Sequence, residues 1–99
     1  MRYQEENRRI EDWLRRIQEL APRHYSLAVE LARAQRLIKG YGETHERGWR
    51  NFTALLEQLE MLAARSDGAI VLAKLQTAAL ADEEGVSLRR ELQAIQTLV

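Results

Sequence analysis

The segment Lys39–Gly48 concentrates the residues of this sequence that could bind a ligand. It contains three of the chain's five glycines and one of its two histidines. Its basic and hydroxyl side chains would lie beside a predicted helix N-terminus, whose free N–H groups and dipole favour a negative ligand. The candidates for a weak anion- or cofactor-binding site are Lys39, Tyr41, Thr44, His45 and Arg47.

A tight turn between two helices explains the same segment without a ligand. Gly40 would end one helix, Gly42 would allow a positive φ, and Thr44 would cap the next helix through its hydroxyl. Gly48 would then lie early in that helix, where glycine costs about 1 kcal/mol relative to alanine. We therefore expect another backbone to pass close to Gly48. The segment follows a predicted helix and lacks Gly-Lys-Ser/Thr, so it is neither a Walker loop nor a dinucleotide fingerprint.

A catalytic role for the segment would require His45 as a general base, oriented by Glu43 or Glu46. No nucleophile or oxyanion arrangement accompanies it in the sequence. His24 is the other histidine, and neither an H-x-x-x-H nor an E-x-x-H spacing occurs, so no metal site is predicted. The absence of cysteine excludes thiolate zinc sites, iron–sulfur clusters and disulfides within this chain. We expect that the isolated chain is not an enzyme.

The composition predicts an all-α fold. Leu, Ala, Arg, Glu and Gln dominate, only one proline occurs, and no segment alternates apolar and polar residues over the length of a strand. A chain of 99 residues fits one domain, residues 1–99. Short connections favour antiparallel neighbours. We therefore predict an antiparallel bundle of four to five helices, with the glycine-rich junction between helices two and three.

Apolar spacing places the individual helices along the chain. The first runs from about Tyr3 to Leu20, and its apolar face is formed by Ile10, Trp13, Leu14, Ile17 and Leu20. Pro22 suits the first position of the second helix. The predicted face of that helix is Tyr25, Ala28, Leu31, Ala32, Gln35 and Ile38.

The second half of the chain continues the pattern. The third helix carries a seam of Trp49, Phe52, Leu56, Leu59 and Ala63, widened by Leu55 and Leu62. Ser66 and Asp67 would cap the fourth helix. The stretch Asp82–Gly85 suits either the end of one helix or the start of another. The last helix carries Leu88, Leu92, Ile95 and Leu98 up to the chain end, and is our candidate surface for an oligomer or interdomain contact.

The charge pattern argues against nucleic-acid and membrane partners. Lys plus Arg and Asp plus Glu both number 15, so no net positive field favours phosphate backbones. The pairs Arg8-Arg9 and Arg15-Arg16 alternate with acidic residues, which predicts a solvated, salt-bridged helix surface. No apolar run approaches the roughly 20 residues of a membrane span, and the charged N-terminus is not a signal peptide. We expect a cytoplasmic location.

The junction also carries a family resemblance. Arg36–Gly48, followed by Asn51 and Phe52, resembles the signature R-L-I-K-G-Y-G-D-T-H-x-R-G…N-F near the C-terminus of bacterial indolepyruvate ferredoxin oxidoreductase subunits. Glu43 stands where the signature has aspartate. Ile10–Leu14 resembles a W-L helix upstream of that signature. Ala78–Gly85, with Leu88, resembles its A-A-L-A-D-E-x-G-x-x-L ending, so the likeness covers most of the chain.

The resemblance implies a role inside a larger enzyme. Enzymes of this kind oxidatively decarboxylate indolepyruvate or related aryl 2-oxoacids with thiamine diphosphate and iron–sulfur clusters, and pass the electrons to ferredoxin. By resemblance, this chain is the C-terminal helical domain of such an oxidoreductase, and those cofactors lie in other parts of the parent, none in this chain. Its partners would be other domains or subunits of the parent. Its expected function is structural or subunit/interdomain contact, without catalysis of its own.

Overall fold

The computed structural model describes residues 2–38, 42–82 and 84–98. Within these ranges the regular structure is entirely helical, which confirms the predicted all-α class. Besides a 3-10 helix at Ala34–Leu37, it has six α-helices: α1 Arg2–Leu20, α2 Tyr25–Arg33, α3 Glu43–Leu56, α4 Leu59–Ala63, α5 Gly68–Ala81 and α6 Val86–Leu98.

The turn between α1 and α2 contains Pro22, so its predicted place at the first position of the second helix is wrong. The amides of Arg23 and His24 both donate to the carbonyl of Leu20, at 3.0 and 2.6 Å. This hydrogen-bonded reversal places Pro22 on the surface, where its missing N–H is not needed. Helix α2 begins at Tyr25, three residues after Pro22.

The buried face of α2 agrees with the prediction at Ala28 and Leu31 and differs from it elsewhere. Tyr25 is 73% exposed and Gln35 is exposed. The buried residues of this stretch are Leu27, Ala28, Leu31, Ala34 and Leu37. The last three are three residues apart in the sequence. The chain tightens after Arg33 from an α-helix into a 3-10 helix, which has three residues per turn, so Ala34 and Leu37 lie on the same side. The prediction assumed one α-helix up to Ile38 and therefore chose Gln35 and Ile38 in place of Ala34 and Leu37.

Side chains from two other helices hold the end of α2. The carbonyl oxygens of Glu30 and Leu31 share the amide of Ala34. The Glu30 carbonyl also accepts from Gln76 Nε2 of α5 at 2.8 Å, and the Leu31 carbonyl accepts from Trp13 Nε1 of α1 at 2.9 Å. The transition to the 3-10 helix is therefore stabilised by long-range hydrogen bonds, each from a side chain that needs a partner when buried.

Contacts between side chains give the relative directions of four of the helices. The tight turn after Leu20 makes α1 and α2 antiparallel. His24 Nε2, just before α2, lies 3.0 Å from the carbonyl oxygen of Arg65, just before α5. Further along both helices, Glu30 contacts Gln76. The same order of contacts shows that α2 and α5 are parallel.

The pair α1 and α3 is parallel by the same reasoning. Successive contacts join Glu6 to His45, Arg9 to Trp49, and Trp13 to Phe52. The residue numbers rise together on the two helices. Large aromatic side chains fill the space between them, and the predicted core positions of Trp49 and Phe52 are confirmed at 5% and 1% exposure.

The predicted third helix is divided into α3 and α4. The amide of Gln58 donates to the carbonyl of Leu55 at 3.0 Å, an i to i−3 bond that tightens the chain between the two helices. Leu55, Leu59 and Leu62 are nevertheless all buried. The interruption raises the helix count while preserving the apolar seam, and no glycine or proline marks it in the sequence.

The stretch before α6 ends α5 and stabilises the start of α6. Asp82 follows the last residue of α5, and its carboxylate accepts from the amides of Glu84 at 3.0 Å and Ser87 at 3.3 Å. Gly85 has φ +87°, a conformation that suits glycine. Leu88 and Ile95 of α6 are buried and Leu92 packs against the core. The apolar face of α6 is thus covered by the bundle up to Ile95; the side chain of Leu98 lies outside the described residues.

The surface of α1 has the predicted salt-bridged character at Asp12. Its carboxylate accepts from Arg16 Nε at 2.8 Å and from Arg15 Nη2. These bonds, that of Arg16 above all, lower the pKa of Asp12 below its ordinary value, and partial burial opposes them. A depressed folded-state pKa contributes stability above the unfolded-state pKa, and this contribution is lost as the pH falls through the folded-state pKa.

We expect Asp12→Asn to destabilise the chain by about 0.5 kcal/mol at neutral pH, since exposed ion pairs contribute little. In acid, below the folded-state pKa, the difference between wild type and variant should vanish. Urea unfolding followed by circular dichroism at both pH values measures this. Glu11→Gln, which alters the neighbouring carboxylate outside these pairs, is the control. An equal loss at both pH values would assign the effect to helix packing.

Candidate functional site

The described part of the predicted junction begins at Gly42, which has φ +60° as expected and immediately precedes α3. The carbonyl of Gly42 accepts from the amide of Glu46 at 3.0 Å. Thr44 is therefore the second residue of α3, and its predicted capping role is wrong, because the helix has already started and no side-chain hydrogen bond caps it. The predicted helix stop at Lys39 and Gly40, and the candidate ligand Tyr41, lie outside the described residues.

Gly48 confirms the predicted close approach of another backbone. A Cβ at this position would overlap the carbonyl oxygen of Leu37 and lie 3.3 Å from the Cα of Ile38. The end of the 3-10 helix thus packs directly on the backbone of α3. Glycine is required here for space, whereas Gly42 is required for its backbone angles.

A small pocket opens beside this contact. It is bordered by one face of α3, at positions i, i+3, i+4 and i+7, and by apolar residues of the 3-10 helix and α5. The lining residues are Thr44, Arg47, Gly48, Asn51, Leu37, Ala79 and Leu80. Its volume is about 20 Å³, enough for about one water molecule or one ligand oxygen.

Asn51 is the most deeply buried polar residue of the pocket, at 9% exposure. Among the residues that the structure describes, no hydrogen bond involves its side-chain amide. Its Oδ1 lies close to Gly85, where an added Cβ would be 3.1 Å away. The polar atoms of this side chain are not fully buried, so a water or ligand in the pocket can supply their hydrogen-bond partners.

Arg47 supplies the positive charge of the pocket. Its Nη2 lies 3.7 Å from Glu43 Oε2, and the Glu43 side chain is 91% exposed. An exposed pair at this distance contributes roughly 0–1 kcal/mol, so the guanidinium can exchange this partner for a ligand at little cost. The half-buried Thr44 adds a hydroxyl one helical turn away.

His45, also predicted for the anion site, lies elsewhere. Its Nε2 is 3.2 Å from Glu6 Oε1 of α1, and its ring contacts the edge of Trp49 at a centroid distance of 6.3 Å. Neither Glu43 nor Glu46 is its observed carboxylate partner. Residues two apart on a helix project about 200° from each other, which separates His45 from Arg47. Of the predicted anion ligands within the described residues, Thr44 and Arg47 lie together and His45 does not, while Lys39 and Tyr41 lie outside those residues.

Two acidic residues occupy the helix N-terminus at which an anion site was predicted. Glu43 and Glu46 occupy the first turn of α3. Their carboxylates complement the positive end of the helix dipole and compete with any incoming anion. Affinity for a negative group therefore depends on the pocket donors Arg47, Thr44 and Asn51.

Two polar residues of this region were missed in the sequence. Asn51 follows Thr44 by seven residues, and that spacing could have placed it on the same helix face. Gln76 is fully buried; its Oε1 accepts from Arg36 Nε at 3.0 Å, and its Nε2 bonds to Glu30. No local signal predicts Gln76, since its partners lie 40 and 46 residues away.

Among the described residues, no group of three or more His, Asp or Glu side chains could hold a metal ion. None of the helices in the described ranges combines the length and apolar character of a membrane span.

The fold and the pocket define an all-α helical domain with a polar cavity at one helix face. Residues 1–58 match a family of unknown function, DUF6537. Since the match covers more than half of the chain, the chain belongs to this family. The matched region includes Thr44, Arg47, Gly48 and Asn51, whereas the opposing wall on α5 lies beyond it. No curated protein and no solved structure matches the chain.

Proposed function

We propose that this chain is an accessory helical domain of an indolepyruvate or aryl 2-oxoacid:ferredoxin oxidoreductase. In this role it serves structure or subunit/interdomain contact and performs no catalysis itself. The thiamine diphosphate and iron–sulfur clusters of such an enzyme would be bound by other domains. The sequence resemblance of Arg36–Phe52 to the oxidoreductase signature carries this proposal.

The positions of the signature residues support a structural role. Leu37, Gly48 and Phe52 form the contact between the 3-10 helix, α3 and the core. Arg36 is anchored at Nε by the buried amide of Gln76. These four signature residues thus hold two chain segments together, as expected for a domain with a structural role.

Purification of the protein from its native source tests this proposal. With a tag introduced at the chromosomal gene, we expect the tagged chain to co-purify, as one polypeptide or as a complex, with bound thiamine diphosphate and iron–sulfur clusters. The preparation should reduce a ferredoxin or a viologen dye in the presence of indolepyruvate and coenzyme A. The 99-residue chain alone should show no turnover. A preparation without either cofactor would refute the proposal.

A second candidate is a small anion-binding module, and the shared pocket of Thr44, Arg47 and Asn51 favours it. The two functions are compatible, because a domain that contacts a neighbour can do so through a charged group. Turnover by the isolated chain would contradict both candidates.

A further inference from the structure

We propose that the pocket beside Gly48 receives one oxygen of a carboxylate, presented by an acidic side chain of a neighbouring domain or subunit. This inference rests on the proposed function, in which the chain contacts such a neighbour. It assigns the contact to Thr44, Arg47 and Asn51, on one face of α3.

The donor set of the pocket matches a carboxylate. An ionised carboxylate only accepts hydrogen bonds, and the guanidinium, the hydroxyl and the amide nitrogen can all donate. A bond from Arg47 would be charge-assisted and stronger than its present 3.7 Å contact with Glu43. The same ligand would also accept a hydrogen bond from the side-chain amide of Asn51, which lines the pocket and is 9% exposed.

The size of the pocket suits one oxygen of the ligand. About 20 Å³ admits a single oxygen atom, and one of the two carboxylate oxygens can occupy it. The remaining walls are apolar: Leu37, Ala79 and Leu80. Their low polarity strengthens hydrogen bonds to an oxygen seated between them. The acidic residues Glu43 and Glu46 in the first turn of α3 repel a doubly charged phosphate more strongly than a carboxylate, which favours the carboxylate.

The acidic first turn of α3 favours a tethered carboxylate over a free one. Glu43 and Glu46 repel small anions that approach from solution. A carboxylate on a docked partner arrives at a high effective concentration, set by the rest of the contact, and overcomes this repulsion. The partner is accordingly a surface that carries an Asp or Glu side chain, and free acids should bind only weakly.

Nuclear magnetic resonance titration of the 99-residue chain tests the site. Two blocked tripeptides, glycine–glutamate–glycine and glycine–glutamine–glycine, serve as probes, with acetate, phosphate and chloride as further arms. We expect the glutamate peptide and acetate to shift the Asn51 side-chain amide and the Arg47 Nε–H saturably, with a dissociation constant on the order of 10 mM. The glutamine peptide, phosphate and chloride should produce no saturable shift at these groups.

Variants assign the binding to the pocket. Arg47→Gln removes the charge of a partly exposed side chain, so the fold should persist while affinity for the glutamate peptide falls about tenfold. Asn51→Asp places a like charge beside the ligand and should abolish binding. Arg50→Gln, an exposed change on the same helix, should leave affinity within about twofold of wild type. Circular dichroism verifies that each variant is folded.

The outcomes separate the sources of the anion. Binding of acetate but not of the glutamate peptide would overturn the side-chain assignment and indicate a site for a free small acid. Equal shifts with chloride, or unchanged affinity in Arg47→Gln, would overturn the site altogether. Either result would leave the co-purification of oxidoreductase cofactors unaffected, so failure of this inference and failure of the proposed function can be told apart.

Discussion

Gly48→Ala is expected to destabilise the chain by about 3 kcal/mol, although alanine is the better helix former. On an exposed helix the same change would stabilise by roughly 1 kcal/mol. Here the added methyl would overlap the carbonyl oxygen of Leu37, and the neighbouring Cα of Ile38 lies 3.3 Å from the same point. Both obstacles are backbone atoms, so no rotamer change relieves them.

The overlap can be relieved only by moving the 3-10 helix away from α3. That movement would widen the pocket beside Gly48 and weaken the hydrogen bonds that hold the end of α2 at Glu30 and Leu31. We therefore expect a loss of stability and, in folded molecules, altered amide shifts at Thr44 and Asn51.

Urea unfolding at neutral pH, followed by circular dichroism, measures the effect of Gly48→Ala. Arg50→Ala is the matched control, because it changes an exposed residue of the same helix and should alter stability by less than about 0.5 kcal/mol. A Gly48→Ala variant at least as stable as wild type would show that α3 and the 3-10 helix do not pack as closely as the structure indicates.

Gly48 also illustrates which features the sequence could predict. A glycine within a helical pattern carries a known penalty, so its presence indicates a steric requirement, and the structure confirms the backbone beside it. The same holds for the apolar seam of α3, where three- and four-residue spacing predicted the burial of Trp49 and Phe52. These features depend on local periodicity, which a single sequence contains.

Features that depend on distant partners were not predictable. The end of α2 becomes a 3-10 helix where Trp13 and Gln76 donate to its carbonyls, from 18 and 46 residues away. That change moves Leu37 into the core and leaves Gln35 exposed. Without these partners, a regular α-helix was the simplest extrapolation.

The candidate site was predicted in part, for a geometric reason. The sequence grouped Thr44, His45 and Arg47 because they are adjacent along the chain. In a helix, side chains that are adjacent in the sequence point in different directions, whereas side chains three or four residues apart lie on one face. Thr44, Arg47 and Asn51 therefore lie together. The misplaced cap at Thr44 hid this, because it assigned the residue to a loop rather than to the helix face.

Phe52→Ala is expected to have the largest effect, a destabilisation of about 4 kcal/mol. The side chain is 1% exposed, and its ring meets Trp49 and Trp13 edge to face, with centroids 5.5 and 6.3 Å apart. Truncation would leave a cavity between rigid aromatic rings, which cannot collapse to fill it. Because the free energy of unfolding of small domains is about 5–15 kcal/mol, this variant would lose a large part of it.

Phe52→Leu separates packing from aromatic geometry. It keeps most of the apolar volume and loses the two edge-to-face contacts, so we expect a loss of about 1–2 kcal/mol. Urea unfolding midpoints of the wild type, Phe52→Ala and Phe52→Leu measure the loss of stability. Near-ultraviolet circular dichroism of the tryptophans reports on the aromatic contacts. Since Phe52 joins α1 to α3 next to Asn51, Phe52→Ala should also lower the affinity of the folded chain for the glutamate peptide. A loss below about 1 kcal/mol for Phe52→Ala would contradict the position of Phe52 in the core.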